Sequence, residues 1–279
     1  MRRGFSLVEL SIVLVILGLL TGGVLVGQDL IRAAELRKIA SEAQRYQTAT
    51  YTFRDKYFAL PGDMGNATAF WDTAGGNGED YACTQIATTD GSTCNGNNNG
   101  IIGSYLNQYS IGTPLTTVYK DGGESVRFWQ HMANAGLIEG NYTGENHATF
   151  TTGIVAGADD GNAPKSPVGA SYWMPETLMA RVGSTAEFSG GRVHSFLLVP
   201  PLADIAGWGF FYHPSADVLK PEETWSLDIK LDDGFPGTGK VQAQKGDCTT
   251  ASGVAPPGDA GAEYVLTTED KVCGFRYVF

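Results

Sequence analysis

Residues 5–26 form an unbroken apolar run that carries a single ionisable side chain, Glu9, and is preceded by Arg2, Arg3 and Gly4. About 20 apolar residues suffice to cross a bilayer, so this run can span one, and the two arginines set its start on the cytoplasmic side. An ionised carboxylate inside such a segment costs a few kcal/mol and calls for a partner. Cleavage between Gly4 and Phe5 would supply one: the new α-amine of Phe5 is a cation, and Glu9 becomes the fifth residue of the shortened chain. An ordinary secretory signal is instead cut after its apolar stretch, at an Ala-x-Ala-like site. Here the run leads into Gly27-Gln28-Asp29-Leu30-Ile31, with no such site. A plain membrane anchor explains the length of the run but not Glu9, nor the Gly4-Phe5 junction.

The helical pattern continues beyond the apolar run. Gln28 to Tyr57 contains neither proline nor glycine, and Ile39, Ala43, Tyr46, Thr50, Phe53 and Tyr57 recur in alternating steps of four and three. That spacing buries one face of a helix. Residues 5–57 therefore predict a rod of roughly 80 Å, apolar all round in its first half and one-sided in its second. Gly18, Gly22 and Gly23 are points where it could bend. Ala59-Leu60-Pro61-Gly62-Asp63 ends it.

The remaining chain is rich in glycine and turn residues. Residues 62–123 read as an irregular excursion, Glu124–Ile138 as a helix with a glycine stop, and 141–190 again as loop. Val193–Val199, Gly207–Tyr212, Val241–Gln244 and Gly274–Phe279 read as short strands of a small antiparallel sheet. Trp225–Leu231 is ambiguous: its alternation suggests a strand, while Pro221-Glu222-Glu223 opens a helix. The four cysteines, Cys83, Cys94, Cys248 and Cys273, allow three pairings. The two sequence-local ones, Cys83–Cys94 and Cys248–Cys273, are expected, in an oxidising compartment. The formal net charge of −11 gives no electrostatic footprint for phosphate backbones and disfavours nucleic-acid binding.

Gly4-Phe5-Ser6-Leu7-Val8-Glu9-Leu10 resembles the processing motif of type IV prepilins and type II secretion pseudopilins. Residues 57–64, 128–138 and 232–239 are similar to segments of a group of large prepilin-type proteins. The resemblance implies a pilin-like α+β fold, a long N-terminal helix packed on a small antiparallel sheet with large loop insertions. It divides the chain into a leader (1–4), a membrane-spanning or filament-core helix (5–27), an amphipathic continuation (28–57) and an extracytoplasmic domain (58–279). Gly4 and Phe5 would be the sites of cleavage and N-methylation by prepilin peptidase, and Glu9 the assembly residue. The implied partners are other pilin or pseudopilin subunits, an inner-membrane assembly platform and, before assembly, membrane lipid. Cys248 and Cys273 are similar in placement to the C-terminal disulfide loop of type IV pilins.

No constellation points to catalysis. Gly234 to Lys240 has phosphate-loop spacing, but Val241 stands where a hydroxyl is needed, and a glycine-rich turn is the simpler reading. Asn95, Asn97, Asn99, Gly100 and Ile102 copy half of a calcium loop, with every carboxylate replaced by an amide. Asp228, Asp232 and Asp233 are the better candidates for calcium, which major pseudopilins carry near their C-terminal loops. His131, His147, His194 and His213 lack metal spacing. The expected role is thus a non-enzymatic structural subunit. The alternatives are a tip-located adhesin-type subunit and a membrane-anchored extracytoplasmic binding protein or enzyme.

Overall fold

A computed structural model describes residues 7–76, 78, 83, 86, 88–102, 123–144, 162–169, 171–178, 193–199, 218–243, 247–251 and 261–279. Helix α1 runs without a break from Leu7 to Tyr57, about 77 Å at 1.5 Å per residue. Neither Gly18 nor the Gly22-Gly23 pair interrupts it. Its apolar half contains two hydroxyls, and both bond within the helix: Ser11 Oγ donates to the Val8 carbonyl, and Thr21 Oγ1 to the Leu17 and Gly18 carbonyls. A polar group satisfied inside its own helix can enter a phase without water.

The second half of α1 buries Ile39, Glu42, Ala43, Tyr46, Ala49, Thr50 and Phe53, the stripe predicted by its periodicity. After Tyr57 the chain turns back through Pro61 and Gly62. Gly62 has φ +81°, and a Cβ there would lie 2.2 Å from the Glu124 carbonyl oxygen, so only glycine lets the two backbones approach. A one-turn helix α2 (Thr68–Trp71) lies within the 62–123 excursion. Helix α3 (Glu124–Asn134) is shorter than its apolar pattern suggested, because Gly136 takes φ +72° and closes the C-terminus.

Four strands, β1 (Tyr172–Leu178), β2 (Val193–Val199), β3 (Val241–Gln242) and β4 (Arg276–Val278), form one antiparallel sheet in the order β1-β2-β4-β3. Strand β1 falls in the 141–190 region that reads as loop, which is a correction. The strand accommodates a proline because that residue sits on its outer edge. On the outer edge of β1, Trp173 N–H donates to the Pro164 carbonyl and Thr177 N–H to the Ile102 carbonyl, and Pro175 holds the position between them. An edge strand tolerates a residue with no N–H there. The candidate strand at 207–212 lies outside the described residues.

Helices α1 and α3 pack on one face of the sheet around an aromatic centre. Tyr46 lies 4.8 Å from Trp129, 5.7 Å from Trp173 and 6.0 Å from Phe196, ring centre to ring centre. The indoles are tied in series: Trp129 Nε1 donates to the Trp173 carbonyl (3.0 Å), and Trp173 Nε1 to Glu42 Oε2 (2.8 Å). One chain of bonds thus joins α3, β1 and α1. The other face of the sheet is also buried and carries an ion pair, Arg276 to Glu176 at 3.3 Å.

Helix α4 (Pro221–Leu231) resolves the ambiguous segment as helix. Proline at its first position and Glu223 Oε2 accepting the Lys220 N–H start it. Glu223 also clamps Arg32 of α1 bidentately, at 2.5 and 2.7 Å. This planar fork-to-carboxylate geometry fixes α4 beside the helix where α1 leaves its apolar half. Disulfides join Cys83 to Cys94 and Cys248 to Cys273.

Candidate functional site

The long helix is the outstanding chemical feature. Its first half is apolar enough and long enough to cross a membrane, and none of that stretch is buried against the rest of the chain. From Leu7 to Ile31 its large apolar side chains face outward on every side. Burying a Val, Leu or Ile side chain is worth roughly 1.5–3 kcal/mol, so a surface of this size in water would cost tens of kcal/mol. Lipid or other helices must cover it. Glu9 lies in the first turn of α1, about 45 Å along the axis from Ile39, where burial in the domain begins. Gly4 and Phe5 lie outside the described residues.

Helix α1 is thus two devices in one rod. The distal half is anchored in the domain by Glu42–Trp173, Tyr277 Oη donating to Gln47 Oε1 (3.0 Å) and the Arg32–Glu223 clamp. The proximal half projects clear of the domain.

The acidic trio converges in space. Ligand oxygens of Asp228, Asp232 and Asp233 lie within 4.8 Å of one another. Asp228 is fully buried and accepts from Tyr264 Oη (2.8 Å) and Gly234 N–H (3.1 Å). Asp233 accepts from Phe235 N–H (2.9 Å) and Thr238 Oγ1 (2.7 Å), and Asp232 from Lys240 N–H. Gly239, at φ +68°, lies against the Asp232 carboxylate, which a Cβ there would displace. Burial, with the charges of Asp233 and Asp232, pushes the Asp228 carboxyl up to about 7. Three hard oxygen donors at this spacing suit a divalent cation. The same oxygens also organise the glycine-rich turn of residues 234–240.

The asparagine loop works against its calcium-like spacing. Asn99 and Gly100 donate their N–H groups to the two Asp63 carboxylate oxygens (3.0 and 2.8 Å), and Asn97 N–H donates to Glu124 Oε1 (3.1 Å). Backbone donors aimed at buried carboxylates make a nest for anions, the reverse of a cation site.

Sequence reasoning missed the importance of His131. Its ring is buried, accepts the Gly62 N–H at Nδ1 (2.9 Å), and therefore carries its proton on Nε2, which faces Thr93 Oγ1 (3.1 Å) and the Cys94 carbonyl (3.2 Å). Burial, with the charge of Arg127, lowers its pKa to about 3. Arg127 Nη2 donates to the Cys83 carbonyl (2.9 Å), and Gln130 Nε2 to Thr88 Oγ1 (2.7 Å). The polar residues of α3 therefore hold the Cys83–Cys94 loop against the end of α1. The only sequence signal for this was a charged and polar pattern inside an otherwise apolar helix.

Residues 1–25 match the family model of the prokaryotic N-terminal methylation motif, the prepilin-cleavage signature of type IV pilins and pseudopilins. The match covers the residues that precede α1 and the proximal part of α1, and stops short of the domain. No match was found among curated proteins or among solved structures.

Proposed function

We propose that this chain is a structural subunit of a type IV pilus or a type II secretion pseudopilus. It is made as a single-pass inner-membrane precursor with a cytoplasmic N-terminus and an extracytoplasmic domain. Prepilin peptidase cuts after Gly4 and methylates the Phe5 amine. The mature helix then leaves the bilayer for a filament core, where neighbouring helices replace lipid and a neighbour's Phe5 amine neutralises Glu9. The chain itself does no catalysis and needs no cofactor for this role.

The supporting observation is the methylation motif joined, without a break, to a helix whose proximal half is apolar on all sides and whose distal half is locked into a domain. Mass spectrometry of the purified protein's N-terminal peptide tests the reading. A chain starting at methylated Phe5 supports it; an intact Met1, or a start beyond Val26, rejects it.

A second reading, a subunit at the filament tip, draws on the aromatic side chains displayed at the distal end of α1. Phe58 is 92 % and Phe70 55 % exposed, which suits a surface not covered by the next subunit. Immunogold labelling of sheared filaments separates the two, with label along the shaft or at one end.

A further inference from the structure

The distal end of α1 opens onto a groove of about 870 Å³ whose walls include Tyr51, Arg54, Asp55, Phe58, Asn98 and His194. Phe58 is its most unusual member. Its φ of +54° is the left-handed conformation that a side chain disfavours and glycine accepts. Its N–H still closes the last turn of α1 on the Arg54 carbonyl (2.8 Å), so the backbone does the work of a helix cap. A glycine would do that work better. The chain instead carries a large apolar ring there and leaves it almost wholly in solvent. Two unfavourable features at one residue, backbone strain and aromatic exposure, are retained where the ring has a use.

The facing wall is fixed in advance. Asn98 also takes φ +54°. Asp63, itself buried, holds the Asn98, Asn99 and Gly100 N–H groups with its carbonyl (2.9 Å) and its carboxylate (3.0 and 2.8 Å). The Asn98 and Asn99 side chains are left exposed toward solvent. His194 is oriented by Thr177 Oγ1, 2.8 Å from Nδ1, and by the ring of Phe279 stacked against it. The groove therefore offers aromatic side chains beside planar amide, guanidinium and carboxylate groups. Arg54 and Asp55 balance one another in charge, and the second acid on the lining, Asp63, is turned onto the Asn99 and Gly100 N–H groups.

We propose that this groove binds a neutral oligosaccharide, with Phe58 and Tyr51 stacking on the C–H faces of the sugar rings. Arg54, Asp55, Asn98 and Asn99 pair with its hydroxyls. Flat apolar faces edged by hydroxyls are what this combination of rings and forked polar groups complements. The inference is independent of filament assembly.

The mature full-length chain in a detergent without a sugar headgroup tests it, by saturation-transfer NMR and calorimetry with cellohexaose, chitohexaose and maltohexaose, and with oligogalacturonate as an acidic control. Binding of at least one neutral probe is expected. Phe58→Ala is expected to weaken it at least tenfold with the urea unfolding curve little changed, and Phe58→Gly to lose it while raising the unfolding midpoint. Phe58→Trp is expected to retain binding. No binding of any neutral probe, preference for the acidic one, or unaltered binding by Phe58→Ala overturns the proposal. If Phe58→Ala binds sugar normally yet no longer enters filaments, the groove is a contact between copies instead.

Discussion

Replacing Asp228 with asparagine should uncover a pH dependence that the native chain conceals. Two buried groups titrate in opposite senses. His131, with a usual pKa of 6.5, is held near 3 by burial and by Arg127. Below pH 6.5 the unfolded chain takes up a proton that the folded one refuses, so stability is complete above 6.5 and falls with pH toward 3. Asp228, with a usual value of 3.8, is raised to about 7 by burial and its acidic neighbours. The folded chain keeps a proton that the unfolded one releases above 3.8, so this contribution is complete at low pH and is lost as pH rises toward 7. Each slope is about 1.4 kcal/mol per pH unit. Between pH 6.5 and 4 they oppose and nearly cancel.

Asp228→Asn resembles the protonated acid in shape, can still accept from Gly234 N–H and can donate to Tyr264 Oη, and does not titrate. The variant should therefore lose about 2 kcal/mol between pH 6.5 and 5, where the parent changes little. Urea unfolding followed by the fluorescence of buried Trp129 and Trp173, at half-unit pH steps with EDTA present, reads this directly. A variant as flat as the parent, or a parent with the full slope of His131 alone, would refute the assignment of these two groups.

Two further outcomes follow from the same structure. Reducing the Cys83–Cys94 and Cys248–Cys273 bridges, whose partners are 11 and 25 residues apart, should cost about 3 and 3.5 kcal/mol through release of the unfolded chain. Urea unfolding of single-bridge variants checks the sizes, and non-reducing peptide maps showing crossed pairs would contradict the pairing. Chelation with EGTA should move the melting temperature little at neutral pH, because loop N–H groups and Tyr264 already satisfy the acidic trio; a large reversible drop would establish a cation there as structural.

Local pattern carried much of this fold. The stripe Ile39, Ala43, Tyr46, Thr50 and Phe53 is buried as its spacing requires, because a helix face is written in steps of three and four. Strand β2 was equally legible from its β-branched and aromatic run. What stayed hidden depended on partners far away in the chain. The 141–190 stretch reads as loop from its turn residues, and β1 forms within it through pairing with β2 and through outer-edge bonds to the Pro164 and Ile102 carbonyls. Trp225–Leu231 alternates like a strand, yet Glu223 meeting Arg32, 191 residues away, and Asp228 meeting Tyr264 hold it as helix. The calcium-like asparagine spacing misled because spacing does not say which way backbone N–H groups point.

Glu9→Val separates a filament subunit from a plain membrane anchor. The substitution makes membrane insertion easier and removes the charge that a neighbour's Phe5 amine would neutralise in a low-dielectric core, where an unpaired charge is strongly destabilising. Shearing filaments from cells carrying the variant and comparing filament with membrane fractions measures the effect. The assembly mechanism predicts normal cleavage, normal membrane levels and a filament fraction reduced at least tenfold. Undiminished incorporation of Glu9→Val into filaments would contradict it.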